Sequence, residues 1–252
     1  MRRSFKIVAL IPMCALWVGL ASAENITLCY EGGAQFVIRS QTGRHVMIDV
    51  ASPADLKVSP GAGDILLTTH RHPDHWSRAF QADFPGEQLL MNKGPLLHPD
   101  MAVYGLPSAH HPQDPIGSGA ETNWIFLVTT GGLRIAHFGD IGQNHLQDAQ
   151  LKQLGRIDVA IMQFANPKSE MSVENRKGFM LMQQVGPRLV IPTAHAGLSA
   201  LEKARTYWPC FATEQEELVL DSARLPKKTS FLVMGNLSSL ALEELGYRQW
   251  PQ

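Results

Sequence analysis

Four residues of types that bind metal ions follow one apolar strand, and this cluster constrains the fold of the 252-residue chain more than any other feature. His70, His72, Asp74 and His75 come directly after a strand predicted at 64–69. Because alternate residues at a strand end project in one direction, the first two histidines are expected to face one point, whereas Asp74 and His75 turn towards a neighbouring one. Two ions a few ångströms apart need about six or seven ligands, so other segments must reach the same place.

The rest of the chain reads as a mixture of short strands and helices. Apolar runs between glycine, proline and aspartate residues predict strands at 26–30, 35–39, 45–49, 124–129, 133–137, 159–163, 188–192 and 231–234, and helices at 146–154, 173–185, 198–207 and 240–245. Strands and helices alternate in the second half, which is typical of α/β domains. With 44% hydrophobic residues and neither a repeat nor a linker, residues 24–252 are predicted to form one domain.

Three later segments carry further residues of metal-binding types. The segments at 103–110, 133–142 and 190–195 contain His110, Asp140 and His195, in that order. Together with the His-x-His-x-Asp-His motif at 70–75, they resemble the metal-binding segments of the metallo-β-lactamase superfamily. The resemblance runs from about residue 46 to residue 195, and the order and spacing of the segments make it specific.

The resemblance implies an α/β fold of the αββα sandwich type, with a binuclear metal site at one edge of the two sheets. It implies that one ion is bound by His70, His72 and His110, that the other is bound by Asp74, His75 and His195, and that Asp140 bridges them. Imidazole and carboxylate ligands suit zinc, iron and manganese. Two divalent ions are therefore expected, with zinc as the first choice and manganese or iron as alternatives.

Such a site is expected to catalyse hydrolysis. Two cations that share a carboxylate also share a water molecule, whose pKa falls from about 16 towards about 7, so that hydroxide is available at neutral pH. The same ions polarise the carbonyl or phosphoryl oxygen under attack. Asp74 and Asp140 are the residues expected to accept or return a proton.

The choice between His110 and His111 as a ligand depends on register, because neighbouring strand residues point to opposite faces. The resemblance of the Pro107-x-x-His110 pattern to related families favours His110. His111 is then expected to act behind the ligands or to contact substrate, with an exposed loop histidine as the alternative.

Several nearby residues are expected to support the site without binding metal. The resemblance places Asp49 behind the metal loop, and Asp64 is expected to hold a strand end through hydrogen bonds. His137 lies on a predicted core strand, where a backbone carbonyl is its expected partner. Gly139 and Gly142 are expected to permit the tight turn that exposes the bridging carboxylate.

The bridging position indicates which hydrolase activity to expect. True metallo-β-lactamases typically carry Cys where this chain has Asp140, so hydrolysis of β-lactams is disfavoured. The segment at 132–140 most resembles the branch that contains ascorbate-6-phosphate lactonase and the acyl-ethanolamine phospholipase D. That resemblance implies a small-molecule ester, lactone or phosphodiester as substrate. A non-catalytic metal-binding protein of the same fold is the competing hypothesis.

The first 23 residues have the pattern of a cleaved export signal. Arg2, Arg3 and Lys6 precede an apolar run, and Ala21-Ser22-Ala23 is a small-x-small cleavage pattern. The apolar stretch is short for a membrane anchor, so no stable membrane insertion is expected after cleavage. The paired arginines also partly resemble a twin-arginine signal. The mature protein is expected in the periplasm or outside the cell.

Charge and cysteine content narrow the partners further. Without the three basic residues of the signal, 19 basic residues face 23 acidic ones, so the basic surface that nucleic acids require is not expected. Cys29 and Cys210 remain in the mature chain, and they either pair in an oxidising compartment or stay separate as buried thiols.

Overall fold

Two β-sheets stack face to face in the computed structural model of the chain, which describes residues 25–119, 122–235 and 239–251. The predicted export signal at 1–23 lies outside the described residues. The strands are β1 (Ile26–Tyr30), β2 (Phe36–Arg39), β3 (His45–Ile48), β4 (Ile65–Thr68), β5 (Glu87–Leu90), β6 (Leu96–His98), β7 (Met101–Ser108), β8 (Asn123–Thr130), β9 (Leu133–His137), β10 (Val159–Met162), β11 (Leu189–Pro192), β12 (Cys210–Thr213), β13 (Glu217–Leu220), β14 (Ser230–Met234) and β15 (Arg248–Gln249).

The helices are short and lie on the outside of the sheets. They are α1 (Arg78–Asp83), α2 (Asp148–Leu154), α3 (Lys177–Val185), α4 (Gly197–Ala204) and α5 (Ser239–Glu244). Within the described ranges, no helix has both the length and the apolar character needed to cross a bilayer.

Strand order brings the ends of several strands to one edge of the molecule. One sheet has six strands in the order β13-β1-β2-β3-β4-β5, and the other has nine in the order β15-β12-β14-β11-β10-β9-β8-β7-β6. In the larger sheet, β9, β10, β11 and β14 run parallel to one another. The carboxyl ends of parallel strands meet at one edge, which is where ligand sites form in α/β sheets.

Alternate side chains on the strands of the larger sheet pack into two different cores, one on each face of that sheet. On β10, Val159 and Ile161 pack into the core between the two sheets, whereas Ala160 and Met162 pack under the helices on the outer face of the larger sheet. A smaller core on the outer face of the six-stranded sheet includes Phe80 of α1. The layers are therefore helix, sheet, sheet and helix, which confirms the predicted αββα sandwich.

The structure refines several predicted elements. The predicted helix at 173–185 begins only at Lys177, because Arg176 takes a left-handed conformation with φ of 57° that ends the preceding turn. Five strands lie outside the predicted ones, namely β5, β6, β12, β13 and β15. All five are short and lie at or near sheet edges, where a strand buries one face or neither and so carries no long apolar pattern.

Cys29 and Cys210, the two cysteines of the predicted mature chain, are separate buried thiols. Cys29 lies on β1 in the smaller sheet and Cys210 on β12 in the larger sheet, and both are free. Burial raises the pKa of each thiol to about 11. Of the two alternatives that the sequence left open, the structure therefore shows the unpaired one.

Candidate metal centre

Loops at the ends of four strands carry the predicted ligands to one place. The loop after β4 carries the motif at 70–75, and β7 leads into His110. Strand β9 ends three residues before Asp140, and β11 ends three residues before His195. Because β4 belongs to the smaller sheet and the other three belong to the larger one, the site lies at the shared edge of the sandwich.

The seven predicted ligands form two clusters that share one carboxylate. The first cluster is His70, His72, His110 and Asp140, and the second is Asp74, His75, Asp140 and His195. Within each cluster the ligand atoms lie within 4.8 Å of one another. This arrangement is the one that two neighbouring cations bridged by Asp140 require.

The distances around Asp140 give the geometry of this shared position. One carboxylate oxygen, Oδ2, lies 3.7 Å from Nε2 of His70 and 3.7 Å from Nε2 of His110. The other oxygen, Oδ1, lies 3.1 Å from Nε2 of His75. In the second cluster, Nε2 of His195 lies 3.7 Å from Oδ2 of Asp74.

Unpartnered buried atoms show that this donor set fits metal ions. Among the described residues, Nε2 of His70, Nδ1 of His72, Nε2 of His110 and Oδ1 of Asp74 are buried and have no hydrogen-bond partner. Leaving such atoms unsatisfied costs about 1–3 kcal/mol each. Coordination of a cation satisfies all four, and nitrogen and carboxylate donors are those that zinc prefers.

Thr69 fixes which nitrogen of His70 faces the cluster. Its hydroxyl donates to Oδ2 of Asp49 at 2.7 Å, so its oxygen is left to accept from Nδ1 of His70 at 3.0 Å. His70 is then protonated on Nδ1 and presents the lone pair of Nε2 to the cluster. Burial, together with the nearby His75, lowers the pKa of the His70 imidazole to about 3, so the ring is neutral at physiological pH.

The neighbouring His75 has the opposite electrostatic character. Its Nδ1 donates to Oδ2 of Asp49 at 2.8 Å, and its Nε2 faces Asp140. Burial opposes a charged ring, but the two carboxylates outweigh that cost and raise the pKa of His75 to about 10. A metal ion that binds at this nitrogen therefore displaces a proton.

Two asparagines that the sequence analysis did not single out hold Asp140 in place. Its backbone N–H donates to Oδ1 of Asn123 at 3.0 Å, and its Oδ2 accepts from Nδ2 of Asn166 at 2.7 Å. Although burial opposes ionisation, the nearby His110 and His75 rings hold the pKa of the Asp140 carboxyl well below its usual range. Asp140 is thus a fixed, ionised acceptor.

Two glycines on either side of Asp140 have different physical roles. Gly139 has a φ of 56°, and a Cβ there would lie 2.5 Å from Oδ1 of Asn123, so the predicted turn is confirmed. Gly142 does not need a left-handed conformation; a Cβ there would lie 2.1 Å from the carbonyl oxygen of His110. The second glycine therefore permits a close backbone approach rather than a turn.

His110 and His111 occupy distinct environments. His110 is buried within the first cluster, whereas the side chain of His111 is 38% exposed and belongs to neither cluster. Nδ1 of His111 lies 3.8 Å from Oε1 of Glu170. The structure thus brings His110, and not its neighbour, to the other predicted ligands. His111 lies beside the first cluster on its solvent-exposed side, which we call the mouth of the site.

The predicted supporting residues make the contacts expected of them. Asp49 accepts from the backbone N–H of Thr69 at 2.8 Å in addition to its two contacts with side chains. Asp64 accepts from the backbone N–H groups of His45 at 2.8 Å and Gly61 at 2.7 Å. Nε2 of His137 lies 3.0 Å from the carbonyl oxygen of Ala34. These three predictions are confirmed.

Lys168 and Asn166 are candidate functional residues that sequence reasoning missed. Both follow β10, which ends at the same edge as β9 and β11. The Nζ of Lys168 lies 3.7 Å from Oδ2 of Asp74, and its side chain is 63% exposed. A loop at the carboxyl end of a parallel strand is a place where a ligand site is expected. This loop was not singled out from the sequence because it contains no residue of a preferred metal-ligand type close to the strand end.

A cavity borders the segment that carries His195. It has a volume of about 260 Å³ and is lined by residues on both sides of that histidine and by the ends of β1 and β14. Thr193 lies in its wall, and among the described residues its buried hydroxyl has no hydrogen-bond partner. The edge of the sandwich therefore has room for a small, mainly apolar group next to the candidate metal centre.

Comparison with known proteins identifies the fold and the family. The family model described as "Beta-lactamase superfamily domain" matches residues 27–194, which is more than half of the chain and includes the motif at 70–75, His110 and Asp140. No curated protein matches the sequence.

Solved structures with low sequence identity share the fold. A Thermotoga maritima protein of the metallo-β-lactamase superfamily superposes with a TM-score of 0.61 and 17% identity over 83% of this chain and 98% of its own. YhfI, a metallo-β-lactamase fold protein from Bacillus subtilis, gives a TM-score of 0.54 and 11% identity over 85% and 98%. A proposed metal-dependent hydrolase from Parabacteroides distasonis gives 0.52 and 17% over 71% and 87%.

Proposed function

Because this chain belongs to the metallo-β-lactamase superfamily, we propose that it is a hydrolase that uses two divalent metal ions to cleave an ester, a lactone or a phosphodiester. One observation carries the proposal: two ligand clusters share the carboxylate of Asp140. A single structural ion would need one closed set of four ligands, whereas this site offers seven side chains around two points. Zinc suits the donors best, and manganese and iron are alternatives.

The residues divide the work of holding and orienting the reactants. His70, His72 and His110 would hold one ion, Asp74, His75 and His195 would hold the other, and Asp140 would bridge them. The bound ions would supply a hydroxide at neutral pH and polarise the bond under attack. Thr69 and Asp49 orient the His70 and His75 rings so that both Nε2 atoms face the centre.

The carboxylates of Asp74 and Asp140 are the groups at the centre that would transfer protons. Asp74 is half-buried, so it is the carboxylate that substrate can approach from the mouth. Nζ of Lys168 lies 3.7 Å from one of its oxygens. Asp140 is buried and fixed by Asn166. Asp74 is therefore the better placed of the two predicted catalytic carboxylates to accept or return a proton at a leaving group.

Two other functions are weaker candidates. β-Lactam hydrolysis is disfavoured because the bridging position is Asp140 rather than Cys. A metal-binding protein without catalytic activity would need the same ligands, and a partner or ligand would then replace the substrate. A small-molecule substrate and no nucleic-acid partner remain part of the proposal.

The first test measures metal content and turnover together. Purified mature protein is reconstituted with zinc, manganese or iron and analysed for bound metal, and each form is assayed against lactones, esters, thioesters, phosphodiesters and β-lactams. We expect about two ions per chain and turnover in at least one of the first four classes. Fewer than one ion per chain would contradict the binuclear site, and two ions with no turnover would favour a binding protein.

A matched pair of variants separates the site from general effects of charge loss. Asp140→Ala is expected to lose one ion and at least about 100-fold in kcat/KM, because it removes the shared ligand. Asp83→Ala removes an exposed carboxylate at the end of α1 and should keep both properties. Equal effects of the two substitutions would contradict the assignment.

We also propose export to the periplasm or the cell exterior, on the basis of the N-terminal pattern. Expression of the full chain followed by N-terminal sequencing of the secreted or periplasmic form tests this proposal. A mature chain that starts near Glu24 is the expected result. Retention of the whole chain in the cytoplasm would contradict it.

A further inference from the structure

A short turn after β10 is fixed to the metal centre by its own side chains. The turn, here called the rim turn, comprises residues 166–170 and contains one turn of 3-10 helix at Pro167–Ser169. The side chain of Asn166 accepts from the backbone N–H of Lys168 at 3.0 Å and donates to Oδ2 of Asp140 at 2.7 Å. The buried Ser169 accepts from Nε2 of Gln163 at 2.8 Å. The backbone of the rim turn is therefore positioned by the bridging carboxylate itself.

The rim turn places opposite charges over the two halves of the site. Lys168 lies over the second cluster, with its Nζ 3.7 Å from Oδ2 of Asp74. Glu170 lies at the other end, where Oε1 is 3.8 Å from Nδ1 of His111, the neighbour of the ligand His110. A substrate that enters the mouth thus meets an ammonium group on the Asp74 side and a carboxylate on the His111 side.

The ammonium group of Lys168 is available to a ligand. Within the described part of the chain, its ion pair is with Asp74, and an exposed pair of this kind contributes only about 0–1 kcal/mol. Asp74 is also a proposed metal ligand, so its charge would be shared with an ion of higher charge. Arg71, the exposed cation of the motif at 70–75, already contacts an aromatic ring, because its guanidinium lies 5.6 Å from the centre of the Trp76 ring.

We propose that Lys168 binds an anionic group of the substrate, a carboxylate or a phosphate, on the Asp74 side of the metal centre. This inference rests on the proposed hydrolase function and narrows its substrate class to anionic esters, lactones or phosphodiesters. An ammonium group on a flexible stem acts as a point charge and suits either anion. The fixed backbone of the rim turn limits where that charge can reach, so the anion would bind next to Asp74.

The kinetic test compares two esters that differ in one group. The metal-loaded enzyme is assayed with 4-nitrophenyl butyrate, which is neutral, and with 4-nitrophenyl hemisuccinate, which ends in a carboxylate. A third ester, 4-nitrophenyl 3-phosphonopropionate, distinguishes a phosphate-type anion from a carboxylate. Lys168→Met is expected to lower kcat/KM about tenfold for the preferred anionic ester, mainly through KM, and less than twofold for the neutral ester. Lys168→Arg should restore most of the loss.

Lys227→Met is the matched control. Lys227 is an exposed lysine three residues before β14, at the end of the larger sheet opposite to His195. It carries the same charge and is expected to leave the kinetics of all three esters unchanged. Raising the ionic strength should reduce the preference of the wild type for the anionic ester and leave that of Lys168→Met unaltered.

A binding measurement keeps the inference independent of turnover. Isothermal titration of the metal-loaded protein with succinate and with its neutral diamide, succinamide, is expected to show about tenfold weaker succinate binding in Lys168→Met and equal succinamide binding. If none of the esters is hydrolysed but succinate binding depends on Lys168, the anion site stands and the proposed ester hydrolysis fails. If anionic and neutral probes respond alike to Lys168→Met, the inference is wrong, even in an active enzyme.

Metal content decides whether Lys168 acts directly. Lys168→Met is expected to retain the same number of ions per chain as the wild type. A loss of metal from this variant would show that Lys168 acts through Asp74, and it would overturn the anion site.

Discussion

The buried carboxylate of Asp49 fixes much of the metal centre although it belongs to neither ligand cluster. It accepts from the backbone and the hydroxyl of Thr69 and from Nδ1 of His75. Through Thr69 it also determines the tautomer of His70. One residue directly after β3 thus orients a side chain of each cluster, so its loss should affect both clusters.

Asp49→Asn tests this role at the scale of a single residue. The amide keeps the size of the side chain and one accepting oxygen, but an NH₂ group in place of Oδ2 cannot accept from the Thr69 hydroxyl or from Nδ1 of His75, so the His70 and His75 rings lose their fixed orientation. We expect about 10–100-fold weaker metal binding, measured by competition with a chromogenic chelator. Asp64→Asn is the control, because Asp64 supports the backbone N–H groups of His45 at the start of β3 and of Gly61 in the loop before β4 instead of a proposed ligand. Equal losses of affinity in both variants would contradict the role of Asp49.

The raised pKa of His75 predicts how the stability of the metal-free protein depends on pH. The pKa of His75 rises from the ordinary 6.5 to about 10 in the folded protein. A raised folded-state pKa contributes stability that is fully present below about pH 6.5 and is lost as the pH rises through about 10. Urea denaturation of the chelator-treated protein should therefore show a falling free energy of unfolding between pH 6.5 and 10.

The same experiment on two other forms checks the cause. In the zinc-loaded protein the ion replaces the proton, so the decline over this pH range should largely disappear. In metal-free Asp49→Asn the decline should shrink, because one of the two carboxylates that stabilise the charged ring is gone. An unchanged slope in the variant would rule out His75 as its source.

The two clusters could be predicted from the sequence because four of their residues lie within six positions and the others follow in a specific order. The residues that orient them could not. Asn123 and Asn166 are ordinary loop or strand-end residues in the sequence, and their contacts with Asp140 exist only after three strands have paired. Lys168 is one of many exposed lysines until the rim turn places it beside Asp74.

At the scale of elements, a polar clamp joins the two sheets at an edge. Asp100 lies in the turn between β6 and β7 of the larger sheet, and it accepts from the Ser40 hydroxyl at 2.7 Å and from Nε of Arg44 at 3.2 Å. Both donors belong to the turn between β2 and β3 of the smaller sheet. The clamp therefore ties two hairpins together across the sandwich.

Asp100→Asn should destabilise the protein at neutral pH. Hydrogen bonds from Thr42, Ser40 and Arg44 outweigh partial burial and lower the pKa of Asp100 from 3.8 to about 2. A lowered folded-state pKa contributes stability that is present above about pH 3.8 and is lost as the pH falls through about 2. We expect a loss of about 1–3 kcal/mol at pH 7 by urea denaturation, shrinking as the pH falls below 3.8.

Asp148→Asn serves as a control for this clamp, because Asp148 is an exposed carboxylate in the first turn of α2. This substitution should lower the free energy of unfolding by well under 1 kcal/mol. If both variants were equally stable across this pH range, the clamp would have no energetic role.

The predicted strands were confirmed where the apolar pattern was long or flanked by turn residues. Strands β1, β9 and β10 match their predictions to within one residue. Strand β13 was missed because only Leu218 and Leu220 of its four residues are buried, whereas Val219 is 64% exposed. It forms by pairing with β1, almost 200 residues earlier in the chain, and local sequence carries no trace of that pairing.

At the scale of the whole molecule, the metal centre depends on the packing of one sheet on the other. The loop after β4 meets the larger sheet through the carbonyl of Thr69, which accepts from the backbone N–H of Trp124 at 3.1 Å. The αββα architecture itself was predicted only through the ligand motif, because periodicity shows that strands are half-buried but not which sheets they join. Metal binding and folding of the whole sandwich should therefore be coupled.

Metal removal should lower the thermal stability of the whole molecule. Free metal at about 1,000 times its Kd stabilises the folded state by about 4 kcal/mol, which corresponds to roughly 8–16 °C in Tm for a chain of this size. We expect EDTA to lower the Tm of the wild type by that order, measured by calorimetry, and to have a much smaller effect on Asp140→Ala.

Ile161→Val is a control for general instability, because it trims the core between the sheets away from the ligands and should cost about 0.5–1.5 kcal/mol. Its EDTA shift should equal that of the wild type. If the EDTA shift in Tm shrank as much in Ile161→Val as in Asp140→Ala, the effect of Asp140→Ala would reflect general instability. The role of Asp140 as a metal ligand would then be contradicted.

The two free thiols have a consequence for how the protein matures. Cys29 and Cys210 lie in different sheets, and at a pKa of about 11 each is almost entirely protonated at neutral pH. Protonated, buried thiols exchange slowly with oxidants and with disulfides. The chain should consequently reach its native state equally well in reducing and oxidising surroundings, and its production should need neither a disulfide catalyst nor a particular redox buffer.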